Sequence, residues 1–473
     1  MDTLLQPEER VLSTLNKDGT RRWLRPRLSV GRFWKARRIV AYALILLFTA
    51  LPYVRINGKP AVLLDIIDRQ FIFFGKTLFA TDTLLLALFM MSVFITIFLV
   101  TALAGRVWCG WACPQTVYME FVYRPIERLF DGKPGTRPKP GTGGVRKLLK
   151  YVAYVLVSAF LAHTFLSYFV GVDNLRHWIF HSPTQHPIAF AVVIATTGAM
   201  LFDFGFFREQ TCIVACPYGR FQSVMLDRSS LIVGYDRKRG EPRGPLKRKN
   251  RNGDVSLSVV TAQQGDCIDC RMCVATCPTG IDIRDGLQLE CIHCAQCIDA
   301  CDAVMDKIGK PRGLIRYSSQ EALEGRKRRL LRPRVIIYPL VLAILLASLF
   351  AALLNRSDAD VNIVRIKGNL FTVLNDGQIV NQARLTVTNR TDAPVTYSAE
   401  VIDPKEGVRV ELASDDLTFR PNKMESVMVR LIAEPQVFAS SPIDVTVRVH
   451  GSDGFVKDLH FPMHGRVWHG GLP

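Results

Sequence analysis

Five stretches of this chain are apolar for about the length of a bilayer crossing, and no other feature limits the fold as strongly. A run near 20 residues spans the hydrocarbon core. There every backbone polar group must be satisfied internally, which selects helices. The runs lie at 39–54, 84–104, 148–170, 188–204 and 335–354. The first is short and contains Pro52, and the fourth ends near Asp203. Any one of them reads equally well as a core helix, but five together argue against a soluble fold. A signal peptide does not explain the first, because 38 polar residues precede it and no A-x-A-like site follows. It is expected to stay as an uncleaved helix.

Orientation follows from Lys and Arg, which collect on cytoplasmic loops. Residues 1–38 carry ten, 55–82 four, 105–150 nine and 171–187 only Arg176, and 208–334 is rich again. The alternation predicts a cytoplasmic N-terminus and an external C-terminus. The net charge of +18 is consistent with anionic lipid as a partner. The basic run 237–251 contains Gly and Pro and reads as a linker on headgroups rather than a nucleic-acid site.

All twelve cysteines then face the reducing side, where thiols serve as ligands rather than disulfides. Eight lie in CIDCRMCVATCP from Cys267 and CIHCAQCIDACD from Cys291. Both read C-x2-C-x2-C-x3-C. Three thiolates from one such run wrap a cubane, and the fourth comes from the other run, as in two-cluster ferredoxins. Cys267, Cys270, Cys273 and Cys301 are expected to hold one [4Fe–4S] cluster, and Cys291, Cys294, Cys297 and Cys277 the other. Zinc usually takes C-x2-C pairs with longer spacers. Asp302 stands where proline is usual, which changes a turn and not a ligand.

The other four cysteines form a repeat. Cys109 and Cys113 precede Pro114, and Cys212 and Cys216 precede Pro217, each just after an apolar run. Helical spacing would turn each pair to one side, and proline suits the start of a new segment. The following stretches, QTVYMEFVYRPIERLF and YGRFQSVMLDRSSLIV, read as interfacial helices. If the repeats pack together, Cys109, Cys113, Cys212 and Cys216 converge as soft ligands for copper, iron or zinc. Buried structural cysteines are the simpler alternative. His163 lies in an apolar run, His177, His181 and His186 in the loop 171–187, and His460, His464 and His469 with Met463 near the C-terminus. None has a partner at ligand spacing, so hydrogen bonding is the expectation for them.

Beyond 354 the pattern changes to short alternating runs such as ARLTVTN and DVTVRVHG, the signature of strands. An immunoglobulin-like sandwich fits the size. The expected fold is thus multidomain, with five transmembrane helices, a cytoplasmic two-[4Fe–4S] ferredoxin-like domain and a C-terminal immunoglobulin-like β-sandwich. The segments are 1–38 (basic, cytoplasmic), 39–207 (four helices), 208–334 (with the ferredoxin part about 258–310), 335–354 (fifth helix) and 355–473 (periplasmic sandwich).

This ordered combination resembles the CcoG/FixG/RdxA accessory proteins of the cbb-type haem–copper cytochrome c oxidase. The resemblance implies reduction of Cu(II) to Cu(I) through Cys109, Cys113, Cys212 and Cys216. It also implies a copper-transporting P-type ATPase and oxidase assembly factors as partners. The electron donor is left open, and a homo-oligomer is compatible with this reading. Related membrane ferredoxins share the repeat and the clusters and act as quinol-linked carriers. A scaffold with purely structural clusters is the third reading.

Overall fold

The computed structural model describes residues 13–14, 20–67, 69–79, 81–132, 143–245, 265–326, 332–404, 406–412 and 417–467. His469, the stretch 246–251 of the basic run and the first residues of the expected ferredoxin part lie outside them. Two compact units divide the chain between Leu349 and Phe350.

Five helices in the described residues have the length and composition to cross a membrane: Arg32–Tyr53, Thr83–Ala104, Gly143–Val170, Pro187–Phe207 and Pro333–Leu354. At 22 residues the second spans about 33 Å, enough for the hydrocarbon core. The first helix begins at Arg32, so the polar segment ends before residue 38 and the span is not short. Arg32, Lys35 and Arg38 stay exposed on its outer side, where long basic side chains snorkel. Pro52 does not cut this span. It sits in the 3-10 turn Leu51–Tyr53 that closes the helix, where proline at the first turn is tolerated. The fourth span widens into a π-turn over Phe202–Phe207, which includes Asp203.

Between the first two spans the sequence reading places no strands. The structure forms a hairpin of Arg55–Ile56 and Lys59–Pro60, then three antiparallel strands, Val62–Asp65, Gln70–Phe73 and Lys76–Phe79. The visible signal was Asn57-Gly58, both at positive φ, the turn that suits a two-residue hairpin.

The cysteine-rich segment is closed by an antiparallel pair, Ile232–Tyr235 with Ile315–Ser318, and by the helix Gln296–Lys307. Its core unites Val233, Ile281, Ile283, Ile298, Met305, Leu314 and Ile315 with four buried cysteines. The segment following Cys216 is therefore not one interfacial helix. It is a short helix, Pro217–Met225, that leads into the first closing strand. The segment after Cys113 is helical to Asp131, and its apolar side meets protein. Val117 and Phe121 pack against Ala41 of the first span, and Met119 and Tyr123 against Tyr154 and Phe204. An amphipathic pattern looks the same whether its apolar side meets lipid or protein.

The second unit is the sandwich. One sheet centres on Ile379–Asn389, paired on one side with Lys423–Ala433 and on the other with Ala359–Arg365. The other carries Ile443–Gly451 between Val395–Asp403 and Val456–Met463. Alternation fixes which side is buried: Val445, Val447 and Val449 are inside, as are Leu459, Phe461 and Met463. Met463 is thus core, not a ligand. Leu431 is fully buried at the centre. Leu431→Ala should cost about 2–5 kcal/mol, read as a lower denaturation midpoint for this unit.

Candidate metal centres

Residues of positive φ shape both cysteine runs. Asp269 and Arg271 in the first, and His293 and Ala295 in the second, lie two and four places after the leading cysteine, at φ 52–60°. Non-glycine residues rarely adopt this conformation. Its recurrence at equal positions curls each run so that its three thiols face inward.

They face two cavities. One is lined by Cys267, Cys270, Cys273 and Cys301. The other is lined by Cys277, Cys291, Cys294 and Cys297, with Cys273 at the wall between them. The fourth cysteine of each run thus lines the other run's cavity. Asp302 lies within the helix Gln296–Lys307 rather than in a turn, and its Oδ1 accepts a hydrogen bond from the Gly313 amide at 2.9 Å.

All twelve cysteines are free thiols. Burial pushes the thiols of Cys273, Cys291 and Cys301 up to about 12 and raises Cys294 and Cys297 as well. Thiolates here need cations to balance them. Arg37 is fully buried beside Cys294, and its Nη1 and Nη2 have no hydrogen-bond partner among the described residues. Two sets of four thiols with orphaned donors beside them fit a pair of [4Fe–4S] clusters, whose sulfur atoms accept such hydrogens.

The paired motifs repeat in geometry as well as sequence. Gly105 ends the second span at φ 60°, and Arg208 ends the fourth at φ 55°. Each stands four residues before the first cysteine of its motif. Cys113 and Cys216 both sit just ahead of a short helix whose first residue is proline. The cysteines of a pair do not share one regular helix. Val107–Trp111 ends before Cys113, and the second motif runs through the π-turn Thr211–Ala215.

The two repeats nevertheless leave the four thiols within electrostatic reach of one another. Burial raises Cys109 to about 12 and raises Cys113 and Cys212. Beyond burial, Cys109 is affected by Cys113 and Cys216, and Cys212 by all three others. Cys109 Sγ donates to Gln222 Oε1 at 3.1 Å, and Gln222 is fully buried. Among the described residues no three His, Cys, Asp or Glu side chains are placed to hold one metal ion. The thiols are gathered, but not as a ready single-ion cage.

The first motif is docked on the second cavity. A Cβ on Gly110 would meet Ile292 O at 2.5 Å and Cys294 Cα at 2.8 Å. The Gly110 carbonyl accepts from Arg37 Nε at 2.8 Å. The Arg106 amide donates to His293 Nδ1 at 3.2 Å, and its guanidinium reaches the carbonyls of Leu289, Cys291 and Gly219. Trp111 Nε1 donates to Tyr317, whose hydroxyl donates to His293 O at 2.6 Å. On the other flank, Asp299 accepts from the Phe33 and Trp34 amides and so caps the first span. Arg37, Arg106, Gln222 and Asp299 had no local signal, because each acts through partners distant in sequence.

Buried ions tie the repeats together. Arg124 pairs with Glu120 and lies 3.8 Å from Glu209, all with side chains at most 4% exposed, and its Nη2 donates to Pro278 O at 3.4 Å. Burial lowers its pKa to about 10, so it is still a cation at neutral pH. Arg124→Gln would strand the buried carboxylate of Glu120, while Glu209 keeps Arg21 and Arg208, and should cost about 3–5 kcal/mol. Arg25→Gln, which removes an exposed partner of Glu127 and Asp131, should cost no more than about 1 kcal/mol. Thermal unfolding of the full chain in detergent compares them.

The histidines are used structurally. His163 bonds the Ala159 carbonyl, His177 bonds His181, His186 stacks on Trp178, His460 faces Asp444, and the His464 amide bonds Asn381.

Comparison with known proteins agrees with this layout. Residues 207–320 match a family described as a 4Fe-4S dicluster domain, and residues 86–137 one described as a 4Fe-4S binding domain. Residues 349–460 match a family described as an IG-like fold at the C-terminal of FixG. Protein RdxB of Cereibacter sphaeroides is 36% identical over 80% of this chain and 81% of its own length. Protein RdxA of the same organism is 35% identical, over 81% and 83%. Nitrogen fixation protein FixG of Rhizobium meliloti is 32% identical, over 80% and 79%.

Proposed function

We propose, from the premise that this chain belongs to the FixG/RdxA family of membrane iron–sulfur proteins, that it delivers electrons to copper. In this reading Cu(II) is the substrate, each ion takes one electron, and Cu(I) is passed on for assembly of a cbb-type cytochrome c oxidase. Cys267, Cys270, Cys273 and Cys301 hold one [4Fe–4S] cluster, and Cys277, Cys291, Cys294 and Cys297 the other. When bound, the clusters supply one-electron transfer. Cys109, Cys113, Cys212 and Cys216 receive copper, for which soft thiolates favour Cu(I). The cysteine-rich segment faces the cytoplasm of a bacterial inner membrane and the sandwich faces the periplasm. A copper-transporting P-type ATPase is the proposed acceptor.

The observation that carries this reading is the seat of Gly110 on the backbone of Cys294. It puts the loop between Cys109 and Cys113 in contact with a cluster-ligand loop. The test is single-turnover Cu(II) reduction by anaerobic protein whose clusters have been reduced with dithionite. Cluster oxidation is followed optically, and Cu(I) is trapped by a chelator. In a quadruple Cys→Ser variant at 109, 113, 212 and 216, fast Cu(I) formation should vanish while iron content is kept. Equal rates in wild type and variant would sink the copper reading.

A further inference from the structure

The membrane bundle holds a cavity of about 690 Å³. Small-molecule sites usually measure about 300–1,000 Å³. Its walls come from the first, third and fourth spans, between Leu44 and Leu51, Leu161 and Tyr168, and Thr196 and Phe204. These walls are almost wholly apolar. Its floor is the first paired-cysteine motif: Trp108, Ala112, Pro114, Gln115 and Tyr118. Beside the floor stands Asp203, a carboxylate in the π-turn that closes the fourth span. Asp203 Oδ1 accepts from Gln115 Nε2 at 3.2 Å and from the Thr211 hydroxyl. Its Oδ2 has no hydrogen-bond partner among the described residues. Asp203 is half-buried at the end of the span, so its carboxylate stands between the apolar walls and the polar end of the bundle.

Three properties define the occupant. It is dissolved in the membrane, because membrane spans form the walls. It is long and apolar, with a compact polar head that meets a carboxylate, an amide and an indole at one end. It also has a reason to approach the cluster loop, because Trp108 and Ala112 flank Gly110, which touches Cys294. We propose that this cavity binds an isoprenoid quinol, the membrane-soluble electron donor of the protein, with Asp203 Oδ2 accepting a hydrogen bond from a ring hydroxyl. The inference rests on the electron-transfer part of the reading above and not on copper. Oxidation of the quinol to the quinone breaks two O–H bonds and releases two protons to water at the Asp203 end of the bundle. It yields two electrons, one for each of the two [4Fe–4S] clusters.

The test uses full-length holoprotein in nanodiscs of saturated phosphatidylcholine, with decylubiquinone as the probe. Trp108 forms part of the floor, so quinone binding should quench tryptophan fluorescence saturably. Trp108→Phe should remove most of the saturable component. Ala199→Phe, which puts a ring into the cavity, should weaken binding about tenfold or more. Asp203→Asn, checked for unchanged iron content, should slow cluster bleaching by decylubiquinol about tenfold to a hundredfold. Quenching that rises linearly with quinone would mean that the cavity takes ordinary lipid chains, which overturns the proposal. So would wild-type affinity in Ala199→Phe together with wild-type bleaching in Asp203→Asn. Copper is absent throughout, and the copper assay uses dithionite rather than quinol, so each reading can fail without the other.

Discussion

A Cys273→Ser/Cys277→Ser protein will purify nearly free of iron, whereas Cys277→Ser/Cys291→Ser will keep about half of it. Both variants remove two thiols, and in both the two positions lie within one short segment or one cavity. They differ in which cavity each position serves. Cys273 belongs to the set with Cys267, Cys270 and Cys301, and Cys277 to the set with Cys291, Cys294 and Cys297. The first variant therefore damages both clusters, and the second damages one twice. Of about eight irons, roughly none and roughly four should survive. If each run held its own cluster, the two results would be exchanged. Serine is close in size to cysteine, so packing alone does not predict the difference. The checks are iron and acid-labile sulfide per protein, with the visible charge-transfer band as a second readout.

Gly110→Val should have the next largest effect. The added Cβ would lie 2.5 Å from Ile292 O and 2.9 Å from Cys294 N. Both are backbone atoms of a run whose shape is set by bound metal, so they cannot step aside as a side-chain tip would. Overpacking of this kind costs about 1–3 kcal/mol, equivalent to about tenfold to a hundredfold loss of the docked arrangement. Cluster-to-copper transfer should fall by that factor, with some loss of iron from the second cavity. Gly198→Ala, where a Cβ meets nothing within 4 Å, is the matched control and should behave as wild type. Rapid-mixing measurement of cluster oxidation by Cu(II) reads both.

The parts legible in the sequence are those encoded by near neighbours. Three cysteines at two-residue gaps specify a curled loop, and the positive φ of Asp269, Arg271, His293 and Ala295 is how the chain meets that demand. The spans follow from apolar length, and the sandwich from alternation such as Val445, Val447 and Val449. The illegible parts are contacts across long separations. Nothing around Arg37 shows that it will be fully buried against Gly110. The segment from Pro114 to Asp131 reads as a surface helix because its pattern does not say that Phe121 meets Ala41. The cavity above Trp108 is formed by three spans and a loop and has no linear signature at all.

The seal on the first helix sets a schedule for biogenesis. Its leading amides at Phe33 and Trp34 end on Asp299, a residue made 266 and 265 positions later. Until Asp299 is made, the end of this helix lacks its acceptor and Arg37 lacks its final surroundings. It is completed only when the cysteine-rich segment has emerged and folded, and that folding depends on metal. Iron delivery is thereby made a late checkpoint for a helix inserted early. A chain starved of iron would leave the Phe33 and Trp34 amides without their acceptor, next to the exposed Arg32, Lys35 and Arg38.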